Sequence, residues 1–145
     1  VQIGGDVKIV LKNIQEVVNL YKSFDKYRNY SQDEIFLHIL PSIKLKQYKI
    51  HRDEQGIYGF QNWAYLDDVE QESFIRTHEI YHNAWNSGNN IWHVDLVATR
   101  NVLQIADWTK QYFTQLLGCN KKVKWLRMYD DKTLQKHVYT KRHFV

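Results

Sequence analysis

A carboxylate stands in the middle of an apolar stretch, Trp85-Asn-Ser-Gly-Asn-Asn-Ile-Trp-His-Val-Asp-Leu-Val-Ala98, and Asp95 is thereby the acid best placed for chemistry. The stretch reads as a polar turn running into a β-strand. Side chains alternate along a strand, so the pattern predicts Ile91, His93, Asp95 and Val97 on one face. Trp92, Val94, Leu96 and Ala98 then share the other. Same-face neighbours lie roughly 7 Å apart, which would let His93 and Asp95 look into one cavity. Imidazole and carboxylate together are a common general acid–base pair. A carboxylate among β-branched neighbours is costly to bury unless it is paired or used. The plain alternative is an edge strand whose polar face meets water.

A second constellation is His78-Glu-Ile-Tyr-His82, a literal H-E-x-x-H. On a helix its histidines would share one zinc, with Glu79 as general base. A third protein ligand is wanting. Trp85 and Gly88 stand where the extended motif needs Gly and His, and no Glu follows Glu79. His93 or Asp95 could serve in principle, from an unusual distance, so zinc hydrolysis through His78 and His82 is a distant third reading and no metal is expected. The single cysteine, Cys119, follows Leu-Leu-Gly with no charge directly beside it and reads as packing rather than nucleophile. It excludes an intrachain disulfide and suits a reducing compartment.

These residues need elements to hold them. Asp6 is placed to cap a helix to about Phe24, with Ile9, Val10, Ile14, Val17, Val18 and Tyr21 at helical spacing. Ser31-Gln-Asp-Glu34 is a capping box for a second helix, which Pro41 should end or kink near Leu40. Residues 47–52 and 57–65 read as a hairpin around Asp53-Glu-Gln-Gly56. The acidic segment 67–79 reads as helix or loop, and the strand of Asp95 spans about 91–99. Residues 102–117 suit a helix stopped by Gly118. A strand at 123–129, a short helix near 133–137 and a strand at 139–145 complete a mixed sheet flanked by helices, an α/β or α+β layout.

With 145 residues the chain is expected to form one domain, and five Trp, ten Tyr and six Phe favour a folded core. No apolar run is long enough to span a membrane, and the N-terminal residues lack the apolar core of a signal peptide, so the expected location is cytoplasmic. Charge is uneven. Residues 1–95 hold ten Lys and Arg against thirteen Asp and Glu (net −3); residues 96–145 hold ten against three (net +7). A basic half can attract an acidic partner. No motif sets aromatics among basic residues as nucleic-acid binders do, so none is expected to bind.

Four segments in order resemble one family. Leu40-Pro-Ser-Ile-Lys-Leu-Lys-Gln-Tyr48, Gly59-Phe-Gln-Asn-Trp-Ala-Tyr-Leu66, the stretch from Trp85 to Ala98, and Trp125-Leu-Arg-Met-Tyr-Asp-Asp-Lys-Thr133 are similar to the lysine acyltransferases that activate RTX toxins. The resemblance covers roughly residues 25–133. It implies a Gcn5-like N-acetyltransferase (GNAT-like) fold, whose element order this chain also follows. It further implies cytosolic transfer of a fatty acyl group from acyl carrier protein to a lysine of a protein substrate. The family's essential aspartate falls on Asp95, and Gly88 and Arg127 match positions that matter. The family's essential histidine falls on Tyr27, in Tyr27-Arg-Asn-Tyr30. An ordinary tyrosine titrates near 10 and is a poor base. His93 is therefore the first substitute and His38 the next.

The donor follows from residues as well. Coenzyme A users cradle pyrophosphate on a glycine-rich turn before the helix that follows this strand. Here the turn is Thr99-Arg-Asn-Val-Leu103, without glycine. Acyl carrier protein docking on Lys121, Lys122, Lys124, Arg127 and Lys132 fits better, with no bound cofactor. The expectation is acyl transfer centred on Asp95, assisted by His93 or Tyr27, in a chain that acts alone or as a homodimer. The rival is a catalytically silent domain of the same fold that binds a protein.

Overall fold

The computed structural model describes residues 3–118, 121–128 and 136–143. In chain order they form α1 (Ile3–Lys22), a 3-10 turn (Asp25–Tyr27), α2 (Gln32–Lys44), β1 (Tyr48–Asp53), β2 (Gly56–Leu66), α3 (Asp68–Thr77), β3 (Asn90–Ala98), α4 (Val102–Leu117), β4 (Lys121–Met128) and β5 (Lys136–His143). The strands make one mixed sheet in the order β1-β2-β3-β4-β5. Among the described strands only β3 and β4 run parallel. Parallel neighbours need a crossover, and α4 supplies it.

Helices cover both faces. Val17, Val18 and Tyr21 of α1 and Ile35 and Ile39 of α2 pack on Phe60 and Val97. Trp63, Ile91 and Val123 receive Phe113 of α4 on the opposite face. The alternation along β2 explains the division, because Phe60 and Trp63 have opposite parity. Gly59 lets α4 settle closely, since a Cβ there would lie 2.7 Å from Ile105 Cδ1. A third cluster joins Phe74 of α3 to Ala64, Leu66, Trp85 and Trp92.

Several boundaries depart from expectation. Helix α1 runs back to Ile3, so Asp6 lies inside its first turns rather than capping it. The Ser31–Glu34 capping box forms on both sides, but α2 continues through Pro41 to Lys44. Proline removes one donor, whose acceptor would be Leu37, and Leu45 N–H resumes the ladder on Pro41 C=O at 3.2 Å. The tertiary contacts of Ile39 and Ser42 outweigh that single loss. Gly118 ends α4 with positive φ, its N–H returning to Thr114 C=O. Of the helix expected near 133–137, residues 133–135 lie outside the described residues, and Lys136 and His137 open β5. Among the described residues no helix is long and apolar enough to cross a membrane.

The decisive irregularity is in β3. Asn62 pairs with Asp95 and Trp63 with His93, so Val94 is an extra residue and the strand bulges. One extra residue reverses the alternation beyond it. His93 and Asp95 therefore do not share a face, contrary to the simple period-two reading. Past the bulge β3 also parts from β4: among the described residues their pairing is confined to Trp92 with Lys124 and His93 with Trp125.

Candidate active site

Asp95 emerges from the bulge toward α1 and α2. Its Oδ2 accepts hydrogen bonds from Tyr21 Oη at 2.7 Å and pairs with His38 Nε2 at 2.6 Å. Its own N–H donates to Asn62 Oδ1 at 2.9 Å, and Asn62 Nδ2 donates to Ser42 Oγ at 3.0 Å. The carboxylate is fixed from the backbone outward, while Tyr21 and Asn62 are themselves fully buried. The Asp95 side chain is 14 % exposed and that of His38 is 40 % exposed, so the imidazole is the part that solvent or a substrate meets.

The electrostatics follow from this packing. Burial raises the Asp95 carboxyl, but the hydrogen bond and charge of His38, then Tyr21 and Lys26, hold it below the ordinary carboxylate value. Burial lowers His38, yet the hydrogen bond and charge of Asp95 outweigh it and leave the imidazole above its ordinary value. A basic imidazole oriented by an anionic carboxylate can take a proton from an incoming nucleophile.

Two cavities meet at this pair. The larger, about 510 Å³, opens where β3 and β4 part; Val97, Ile105, Val123 and Leu126 contribute to its mainly apolar wall, and Lys26, Tyr27, His93 and Asp95 to its polar end. The smaller, about 230 Å³, lies between α2 and the loop after α3, with His38, Glu79 and Trp85 in its lining. Val94, the bulge residue, lines both.

Of the residues singled out from sequence, His93 lines the larger cavity but belongs to another cluster. Its Nε2 lies 3.4 Å from Gln61 Nε2, and Gln61 joins His51 at 2.9 Å and Thr109 at 3.0 Å. Tyr27 is 7 % exposed, with its ring 4.9 Å from Tyr21 and 6.0 Å from His38. Burial, the Asp95 charge and Tyr30 push its phenol well above the ordinary value. Tyr27 stays protonated and forms a wall. Gly88 sits beneath the backbone: a Cβ there would come within 2.5 Å of Asp67 Cα and 2.7 Å of Leu66 O. Its N–H and that of Ser87 both donate to Tyr65 C=O. Lys124 Nζ reaches Gln71 Oε1 at 2.9 Å and lies over the Trp92 ring. Lys122 is exposed. The side chains of Lys121 and Arg127, and all of Lys132, lie outside the described residues.

The H-E-x-x-H segment is not helical. Helix α3 ends at Thr77, and His78 takes a left-handed conformation at φ 64°. The spacing that would bring the two histidines one helical turn apart is therefore lost. Among the described residues no group of three or more His, Cys, Asp and Glu could hold a metal.

Sequence reasoning passed over Tyr21, Asn62 and Lys26. Tyr21 hides in the apolar stripe of α1. Asn62 did leave a signal, since Gln61-Asn62 places two amides in succession inside a strand buried on both faces. Each serves one face.

Comparison with known proteins places the chain in a family. The model of the RTX toxin acyltransferase family matches residues 9–141. An uncharacterized protein of Synechocystis sp. is 35 % identical over 92 residues, covering 61 % of this chain and 62 % of that protein. The RTX-II toxin-activating lysine-acyltransferase ApxIIC of Actinobacillus pleuropneumoniae is 24 % identical over 95 residues, covering 62 % of this chain and 59 % of its own length. The leukotoxin-activating lysine-acyltransferase LktC of a Pasteurella haemolytica-like species is 24 % identical over 132 residues, covering 85 % and 79 %. The match thus spans about three fifths of the first two relatives. The family match over nearly the whole chain leads to one conclusion: this chain belongs to the RTX toxin acyltransferase family.

Proposed function

We propose that this protein moves a fatty acyl group from acyl carrier protein to the ε-amine of an internal lysine on a protein substrate. The observation that carries this reading is the 2.6 Å contact between His38 and Asp95, whose carboxylate lies at the polar end of an apolar cavity. The lysine nitrogen attacks the thioester carbonyl carbon, a C–N bond forms and the C–S bond breaks. The lysine ammonium first loses one proton to solvent through His38. As the C–N bond forms, His38 takes a second proton from nitrogen and gives it to the leaving thiolate, while Asp95 orients the ring and balances its charge. His93 and Tyr27 border the polar end of the same cavity, where the thioester would lie, as orienting groups.

Carrier protein is favoured over coenzyme A by the turn before α4. Its cation, Arg100, is bonded through Nε to Asp53 Oδ2 at 3.2 Å, and Asn101 Nδ2 reaches the same oxygen at 3.3 Å. An internal carboxylate thus engages the groups that would meet a pyrophosphate. The positive half of the sequence, with Lys122 exposed, suits an acidic carrier. On this reading the chain is one GNAT-like domain working in the cytoplasm, singly or as a homodimer, with no bound cofactor.

The silent-domain alternative drew its force from Tyr27 standing at the family's histidine position. His38, beside Tyr27, supplies an imidazole from a different helix and weakens that case. Single-turnover transfer from carrier proteins charged with different acyl chains, read by mass gain on candidate lysine proteins, tests the reading. Asp95→Ala and His38→Ala should each lower the rate at least 100-fold, in the range general acid–base catalysis supplies. Tyr27→His added to His38→Ala should recover part of it. Equal rates in wild type and His38→Ala would refute the assignment.

A further inference from the structure

The His38–Asp95 pair has a cavity on each side, and the two differ in charge. In the larger one Lys26 stands beside the carboxylate, and its positive charge acts on both members of the pair. In the smaller one the acidic group among the lining residues is Glu79, whose negative charge acts on His38. An ammonium approaching through the first meets Lys26 beside a carboxylate that Tyr21 and His38 already engage; through the second it meets Glu79. Exposure differs likewise: Asp95 is nearly covered, whereas His38 presents much of its ring.

We propose that the smaller cavity is the way in for the acceptor lysine, and that Glu79 is the residue that selects its ammonium group. This deepens the acyl-transfer reading and rests on it. The acyl thioester then reaches the pair from the β3–β4 split while the amine reaches it from the opposite side. Neither substrate has to leave before the other binds. Val94 divides the two compartments. Leu37 and Tyr81, 63 % and 64 % exposed, offer apolar contact for the peptide on either side of the lysine. The surroundings hold the loop firmly: Trp85 C=O accepts from Gln47 Nε2 at 3.0 Å and from Tyr65 N–H at 2.8 Å. His78 and His82 complete the polar wall.

Two measurements on the full chain test this. Steady-state kinetics with a lysine protein or peptide should show Glu79→Gln raising the acceptor KM by roughly three- to fivefold, as loss of one solvent-facing charge pair allows. Glu79→Lys should raise it more than tenfold by repulsion, and the donor KM should move in neither variant. Glu79 is exposed, so an unchanged melting temperature shows that folding is intact. The second measurement needs no turnover. In a 1H–15N titration with n-butylammonium chloride, Leu37, Ile80 and the Trp85 indole N–H should shift in wild type and not in Glu79→Gln, with n-butanol as the neutral control. Butylammonium shifts without acyl transfer would sink the acyl-transfer reading and keep the cation site. Transfer with an acceptor KM indifferent to Glu79, or shifts confined to the β3–β4 cavity, would overturn the proposal.

Discussion

Asp95 uses one oxygen for two partners. Oδ2 takes the Tyr21 hydroxyl and the His38 ring, and that double contact decides how the pair titrates. The His38 value is raised, so its contribution to stability is complete below the ordinary 6.5 and is lost as pH climbs through the higher folded value. The Asp95 value is depressed, so its contribution is present above the ordinary 3.8 and is lost as pH falls through the lower folded value. Between those limits the pair contributes most to the fold. Under the proposed mechanism, acyl transfer needs the opposite form of His38, the neutral one. The transfer rate should therefore rise through a value above 6.5, where the pair is already giving up stability. Replacing Asp95 by Asn removes the two largest influences that raise His38 and leaves burial, which outweighs the rest, and Lys26 to lower it against the smaller opposing charge of Glu79. The ring should then titrate below 6.5. Following the His38 ring protons by NMR against pH in both proteins checks this; a wild-type value under 6.5 would mean that the carboxylate does not govern the imidazole.

At the scale of elements, a single bulge turns the Asp95 carboxylate out of the simple alternation and toward His38 of α2. Alternation along Ile91 to Val97 made the strand and its carboxylate legible in the sequence, because burial leaves a period-two trace. It could not reveal that Val94 is an extra residue, since a bulge depends on pairing with Trp63 and Asn62 of a strand distant in the chain. His38 was visible only as a second choice for the same reason: its meeting with Asp95 is a contact between α2 and β3. Capping residues at Ser31 and Gly118 gave reliable ends because their hydrogen bonds are local. Gly88 meets a packing demand that the motif alone does not state. The family resemblance marks it for substrate or donor binding, yet Leu66 and Asp67 leave no room for a Cβ, and Asn62, which bonds Asp95, is four residues back along β2. Gly88→Ala should lower the unfolding free energy by roughly 1–3 kcal/mol, the usual cost of overpacking, while leaving the KM for both substrates unchanged. Denaturant melts alongside steady-state kinetics separate the two; a raised donor KM with full stability would restore the binding role.

Across the whole molecule, the sheet does its work by failing to close. Strand β3 pairs with β4 over two residue pairs among the described residues and then diverges, and the gap becomes an apolar cavity of about 510 Å³. Continuous pairing would have filled that space with backbone hydrogen bonds and left Asp95 without a chamber. Helix α4 roofs the gap with Val102, Ile105, Ala106 and Thr109. Of these Ala106 is small and exposed, so a larger side chain there can narrow the chamber without forcing the core apart. Each methylene excluded from an apolar site forfeits about 0.8 kcal/mol, close to a fourfold loss in binding. If the chamber holds the acyl chain, Ala106→Phe should cut kcat/KM for the longest accepted chains by tenfold or more and spare the short ones. The profile of rate against chain length, measured with carrier protein charged from four to sixteen carbons, is the readout. A uniform loss at every length would instead place Ala106 on the carrier-docking surface, and the acyl chain would have to lie elsewhere.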